Sequence, residues 1–235
     1  MASARAPEPA AGSVPPRPAA PRRTPALRVF GVPMPVFKTL LFIVCLFPIA
    51  RWVWLGTHDG LTANPVEFLT RSSGRWTLTG LLLTLSVSPL RVLLKQPTLL
   101  RVRRMLGLFS FFYACLHFTT YVWWDQWFDV VAILADVAKR PFIMVGFAAL
   151  VLLIPLAVTS TQGWMRRLGR KWQALHRMVY GIVVLALLHY WWQKAGKNDF
   201  AVVTIYVAVF AGLMAWRVWG WWRARGLRRY GQARH

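Results

Sequence analysis

The chain has 235 residues, 57% of them hydrophobic, with 29 Lys and Arg against 7 Asp and Glu. So apolar a chain with only 15% charged residues excludes an ordinary soluble domain and a disordered chain, and two cysteines, Cys45 and Cys115, are too few for a disulfide-built secreted fold. The net charge of +22 raises nucleic-acid binding, which stands or falls with where the charges sit.

Residues 1–36 are rich in Pro and Ala and poor in large apolar side chains. Such a segment cannot offset its ordering entropy by burial and is expected to be disordered. It does not read as a signal peptide, because the apolar stretch that follows begins too late and runs too long. From there the apolar residues fall in six blocks of bilayer length, which needs roughly 20 residues. The predicted helices are Phe37–Leu55, Trp76–Leu94, Met105–Trp124, Pro141–Thr159, Gln173–Trp192 and Phe200–Trp219. None has the one-sided polar stripe of a surface helix, and the short connections set neighbours antiparallel. The expected fold class is all-α: an integral membrane bundle of six transmembrane helices over 37–219, with a basic tail over 220–235. No internal repeat is visible.

The charges then become a topology signal. Arg5, Arg17, Arg22, Arg23 and Arg28 precede the first helix, and Lys38 stands at its edge. The second connection carries Arg91, Lys95, Arg101, Arg103 and Arg104, the fourth Arg166, Arg167, Arg170 and Lys171, and the last tail Arg223, Arg225, Arg228, Arg229 and Arg234. The other connections hold Asp59, Glu67, Asp125, Asp129, Asp136 and Asp199. Cytoplasmic loops hold the excess Lys and Arg, so both termini are expected in the cytoplasm. The basic balance describes orientation in a lipid bilayer, and no nucleic-acid partner is inferred. Trp123, Trp124, Trp127, Trp191 and Trp192 are expected at the outer interface, and Trp164, Trp172, Trp221 and Trp222 at the inner one.

Ionisable side chains inside a bilayer are functional candidates by default. His58 and His235 fall outside the helices. His117, on the third helix, and His176 and His189, on the fifth, fall inside. At about 1.5 Å per residue, His117 lies about 12 Å below the outer helix end, His189 about 6 Å and His176 about 25 Å. His117 and His189 can share a level, and two facing imidazoles are the arrangement that ligates a haem iron from both sides. With no Cys-x-x-Cys-His motif the haem would be non-covalent, of b type. Zinc is the rival, but it wants three or four ligands and His176 is about 20 Å along the axis from His189. A structural, interhelical hydrogen-bonding role is the bland alternative. His176 also sits about 140° around an ideal helix from His189, so the two share a cavity only if Gly181 or packing bends the helix.

The stretches GWMRRLGRKWQALHRMVYGIVVLALLHYWW (163–192), RRMLGLFSFFYACLHFTTYVWWD (103–125), TGLLLTLSVSPLR (79–91) and RPFIMVGFAALVLLIPLAVTS (140–160) resemble the ferric-reductase-like transmembrane family. Within it they are similar to the haem-binding membrane subunits of bacterial periplasmic methionine-sulfoxide reductase systems. The resemblance runs from about residue 37 to 220 and leaves out the Pro/Ala-rich tail. It implies an inner-membrane electron-transfer subunit with haem b and FMN. Such a subunit takes electrons from membrane quinol and hands them to a periplasmic molybdopterin-containing partner, which repairs methionine sulfoxide in proteins. The family's histidines correspond to His117, His176 and His189. The two-haem pattern of ferric reductases also needs a histidine where this chain has Arg103 and Arg104. One haem between His117 and His189 is therefore expected, with His176 as the candidate ligand of a second. The inner cations Arg103, Arg104, Arg166, Arg167, Arg170 and Lys171 are candidates for the FMN phosphate, and Arg51, Arg91 and Arg177 for haem propionates or for snorkelling.

There is no Gly-x-Gly-x-x-Gly after a strand, no P-loop and no nucleophile–base pair. Substrate chemistry is expected on the partner, with the cofactor carrying the redox step here. Two other functions stay open: a membrane haem reductase acting directly on ferric chelate or oxygen, and a non-redox membrane protein with structural histidines.

Overall fold

The structure is a computed structural model, and it describes residues 27–196 and 198–232, the last seven of these by backbone alone. Two strands, β1 (Arg28–Val29) and β2 (Val32–Pro33), pair antiparallel with Val29 opposite Val32. The turn between them holds Phe30 and Gly31 at φ +50° and +81°, the pair of positive values that tight hairpins of this handedness require. This corrects the expectation of disorder for residues 27–36. Val29 is fully buried with Met34, Val87, Leu99, Val102 and Leu106, so the apolar residues that close this segment order it by burial. The expected disorder of residues 1–26 lies outside the described residues.

Among the described residues six helices are long and apolar enough to cross a membrane. The first, α1 (Met34–Thr57), opens on Pro35 in its first turn. The second, α2 (Pro65–Leu93), is capped by Asn64, whose side chain accepts from the Glu67 N–H at 3.0 Å. It starts eleven residues before the expected Trp76, because a cap, a first-turn proline and an acidic first turn make a helix start that hydropathy alone cannot see. After a 3-10 turn over Pro97–Val102, α3 (Arg103–Thr120) ends in a π turn, Tyr121–Asp125. The connection that follows is itself a helix, α4 (Val130–Lys139), capped by Asp129.

Next come α5 (Pro141–Val158) and a short α6 (Gln162–Leu168). The fifth span is α7 (Arg170–His176) plus α8 (Val179–Ala195), joined by a tightened turn in which Met178 N–H donates to Leu175 O. The break falls at Arg177–Met178 and not at Gly181. The sixth, α9 (Ala201–Gln232), carries on well past the expected end at Trp219.

The main core gathers Leu78, Leu81 and Leu85 of α2, Ala114 of α3, Leu153 of α5 and Ile182 of α8, among others. Helices α2, α3, α5 and α8 therefore form the central bundle. Helices α1 and α9 lie outside it, each with only 6% of its most apolar window buried. Four hydrogen bonds tie these peripheral helices in: Trp52 Nε1 donates to Ser72 Oγ (3.0 Å), Tyr113 Oη to Cys45 O (2.5 Å), the Thr79 and Tyr206 hydroxyls pair at 2.9 Å, and Arg217 Nη2 donates to Leu85 O (2.6 Å). The last has a clear cause. Pro89 lacks the N–H that would pair with Leu85 O, four residues back, and Arg217 of α9 supplies the missing donor. Arg217→Leu should leave that carbonyl unpaired in an apolar layer at a cost of about 1–3 kcal/mol. A lowered thermal midpoint in detergent, largely restored by Arg217→Lys, would bear this out; an unchanged midpoint would not.

Candidate functional site

A cavity of about 940 Å³ lies among α2, α3, α5 and α8, within the upper range for cofactor sites. Leu78, Leu81, Ala114, Leu153 and Ile182 line its depth, and Arg71, Arg75, Asp136, Arg140 and Lys194 line its mouth. His117 and His189 both face it. Their ring centres are 6.1 Å apart and their planes cross at 74°.

Both rings are held in the same way. His117 Nδ1 lies 2.8 Å from Thr70 O on α2, and His189 Nδ1 lies 2.6 Å from Phe142 O on α5, each across a sequence separation of 47. A carbonyl can only accept, so each Nδ1 carries the proton and each Nε2 keeps its lone pair. Four residues after each carbonyl stands a glycine under the ring. A Cβ at Gly74 would come within 3.2 Å of the His117 ring, and one at Gly146 within 2.6 Å of His189 Nδ1. The α2–α3 and α5–α8 hairpins thus repeat one device: a carbonyl, then glycine one turn on, with histidine on the partner helix. The sequence hides this repeat because only three positions of each hairpin share it.

The fit to haem can be tested on this geometry. Two imidazoles ligating one metal ion from opposite sides have ring centres about 6.4 Å apart, taking about 2.0 Å from nitrogen to metal and about 1.2 Å from nitrogen to ring centre. The observed 6.1 Å meets that requirement, and the apolar walls suit a macrocycle. The Thr70 hydroxyl, on the cavity wall, is buried without a hydrogen-bond partner. Among the described residues no three His, Cys, Asp or Glu side chains come together around one ion, so the donor set suits haem and not zinc.

His176 is elsewhere. It closes α7, stacks on Trp172 at 3.9 Å between ring centres, and its Nδ1 donates to Trp172 O at 3.1 Å. It does not line the cavity. Its Nε2 is buried without a hydrogen-bond partner. Arg103 is close enough to interact electrostatically with His176, Tyr180 and Arg217. Arg104, one position on and about 100° around the helix, turns instead into a crevice with Lys38 and Arg101. Arg166, Arg167, Arg170 and Lys171 do not line that crevice, and Arg167 lies over the Trp164 ring at 5.7 Å.

The cations at the cavity mouth are ones the sequence reading left unassigned. Arg51, expected as a propionate candidate, sits over the Phe68 ring at 5.7 Å, and neither it, Arg91 nor Arg177 lines the cavity. Arg71, Arg75 and Arg140 do. Arg71 pairs with Glu67 and Arg140 with Asp136 at 2.8 Å. Lys194 pairs with Asp199, a hydrogen bond that holds the Asp199 carboxyl below the usual carboxylate range. Among the described residues Arg75 is in no such pair. Arg71 and Arg75 of α2 were hidden by placing its first turns in a loop.

The family described as "ferric reductase like transmembrane component" matches residues 35–187. The chain is 61% identical over 192 residues, 82% of its length and 93% of the relative's, to the protein-methionine-sulfoxide reductase heme-binding subunit MsrQ of Bordetella pertussis. The proteins of the same name from Herminiimonas arsenicoxydans and Xanthomonas campestris are 54% and 46% identical, over 81% and 77% of this chain and 88% and 85% of theirs. No solved structure matches.

Proposed function

The chain belongs to the ferric-reductase-like transmembrane family, within it to the MsrQ haem-binding subunits, and from that premise we propose that His117 and His189 hold one haem b. The observation that carries this is the pair of imidazoles 6.1 Å apart, each fixed by a backbone carbonyl so that Nε2 stays free to ligate.

The protein is a haem-binding membrane electron-transfer subunit linked to the periplasmic methionine-sulfoxide reductase system. A haem bound between the two helices supplies one-electron carriage. The residues of the chain do the rest. Thr70 and Phe142 fix the tautomer and orientation of the ligands and raise their basicity. Gly74 and Gly146 let α3 and α8 approach closely enough for the rings to meet. The apolar walls keep water from the redox centre, and Arg71, Arg75 and Arg140 at the mouth are placed for anionic propionates. The reducing equivalents come from membrane quinol, and the acceptor is a periplasmic molybdopterin-containing subunit that performs the sulfoxide reduction.

The orientation is read from the charges. Arg91, Lys95, Arg101, Arg166, Arg167 and Arg170 mark the cytoplasmic side. The described acids Asp59, Glu67, Asp125, Asp129, Asp136 and Asp199 mark the other, where the mouth of the cavity opens. Both termini are thereby cytoplasmic, with residues 37–219 as the transmembrane domain. Of the cations expected to hold an FMN phosphate, Arg103, Arg104, Arg166, Arg167, Arg170 and Lys171, only Arg104 lines a crevice, and His176, the expected candidate ligand of a second haem, lies outside the cavity, so neither a flavin nor a second haem enters this reading.

Arg75 gives a test that does not depend on turnover. A cation beside the redox centre favours its more negative, reduced form, so Arg75→Gln should shift the haem midpoint potential to more negative values, and Arg75→Lys should keep most of the wild-type value. An unmoved potential would take Arg75 out of the site. The function itself is tested by adding quinol anaerobically to the protein in membranes. Haem reduction by quinol, followed by reoxidation only when the oxidised periplasmic partner is added, is the expected result. Fast reoxidation by ferric chelate or oxygen alone would favour the direct-reductase reading.

A further inference from the structure

At the opposite end of α3 from His117 lies a second crevice, of about 410 Å³, between α1 and α3. It has a polar end and an apolar wall. Lys38 of α1, Arg101 of the 3-10 turn and Arg104 of α3 converge at the polar end. Phe42, one turn on from Lys38, and Met105, Leu108, Phe109 and Phe112 of α3 form the wall. From Arg104 to Phe112 that wall runs about 12 Å along the helix, towards the middle of the bilayer. Phe42 and Phe109 meet edge to face at 5.1 Å within that wall.

Two features say what fills it. Among the described residues Lys38, Arg101 and Arg104 form no ion pair, and every described acid lies at the other end of the bundle. Three like charges facing one crevice repel unless an anion lies between them, and arginine matches phosphate oxygens two at a time. The apolar side is open laterally, with Phe42, Leu108 and Phe112 exposed at 47%, 36% and 40%. On a membrane-spanning helix that surface faces lipid, so the occupant enters from the bilayer and is amphiphilic.

We propose that this crevice is a binding site for an anionic phospholipid, with its phosphate on Lys38, Arg101 and Arg104 and an acyl chain along Phe42, Leu108, Phe109 and Phe112. Basic pockets between transmembrane helices on the cytoplasmic side recognise such headgroups. The lipid wedges the peripheral helix α1 onto α3, which bears the His117 ligand.

The experiment uses the purified full-length haem protein, delipidated in neutral detergent. Its thermal midpoint and native mass spectrum are read while phosphatidylglycerol, phosphatidylcholine, inorganic phosphate or FMN is added. Phosphatidylglycerol should give a saturable rise in midpoint and a retained one-to-one adduct, and phosphatidylcholine neither. The Lys38→Gln, Arg101→Gln, Arg104→Gln triple variant should weaken the phosphatidylglycerol response at least about tenfold, since charge-assisted phosphate contacts carry the affinity, with its Soret band showing that it is folded. Should the triple variant not fold, the single variants Lys38→Gln and Arg101→Gln replace it and should each weaken the response. Equal stabilisation by phosphatidylcholine, or a phosphatidylglycerol response undiminished in the variants, overturns the proposal. Displacement of phosphatidylglycerol by low concentrations of FMN or of inorganic phosphate also overturns it, assigning the site to a flavin or to a free anion.

Discussion

Replacing either His117 or His189 by alanine is expected to abolish the Soret band of the purified protein, while His176→Ala keeps it. The expectation follows from how the ligands are held. Removing even the carbonyl partner of a ligating imidazole costs about 10–100-fold in metal affinity, so removing one of two ligands should leave less than about a tenth of the bound haem after purification. The cavity, about 940 Å³ and lined by apolar side chains, offers no second histidine within reach, since His176 is outside it and stacked on Trp172. Visible spectra with pyridine haemochrome quantitation read the result. If the His176 variant loses half of the haem and each of the others the remaining half, two haems are present and the single-site reading fails. If His117→Ala and His189→Ala both retain the band, the ligands lie elsewhere and the close pair of rings is structural.

The glycines give the second large effect, and its asymmetry is the test. A methyl group on Gly146 would meet His189 Nδ1 at 2.6 Å and Cε1 at 2.8 Å, whereas on Gly74 it would meet His117 no closer than 3.2 Å. The His189 ring cannot simply swing aside, because its Nδ1 is committed to Phe142 O at 2.6 Å and its Nε2 would be held by the iron of the proposed haem. Gly146→Ala must break that hydrogen bond or push α5 from α8, at a cost of about 1–3 kcal/mol by the usual scale of overpacking. Gly74→Ala asks only for a shift of a few tenths of an ångström. Haem content should therefore fall roughly 5–150-fold in Gly146→Ala and much less in Gly74→Ala. Equal losses, or a larger loss at Gly74, would contradict the geometry. Valine at Gly146 should leave no haem.

These residues also show what a sequence can and cannot reveal here. The six spans were legible because bilayer length and an apolar run are enough to define them. Their ends were less so. The first turns of α2 carry Glu67, Arg71, Ser72, Ser73 and Arg75, which hydropathy counts as loop, although Ser72 and Ser73 are buried and the arginines reach a cavity mouth. Helix α4 escaped notice because it is too short and amphipathic to span. That His117 and His189 come together was legible from depth alone, since both fall near the same end of helices running in the same direction. The carbonyls of Thr70 and Phe142 were not legible, as a backbone acceptor carries no residue signature. Nor was Arg217, whose partner is a carbonyl freed by a proline on another helix.

The proposed site would hold a single iron between two neutral imidazoles, and electron paramagnetic resonance of the oxidised, purified protein would read that state directly. The prediction is one low-spin ferric signal of bis-imidazole type, integrating to about one spin per chain because each His is a single axial ligand, and absent from the His117→Ala and His189→Ala proteins. A high-spin ferric signal in the wild-type protein, or a low-spin signal that survives both substitutions, would contradict it.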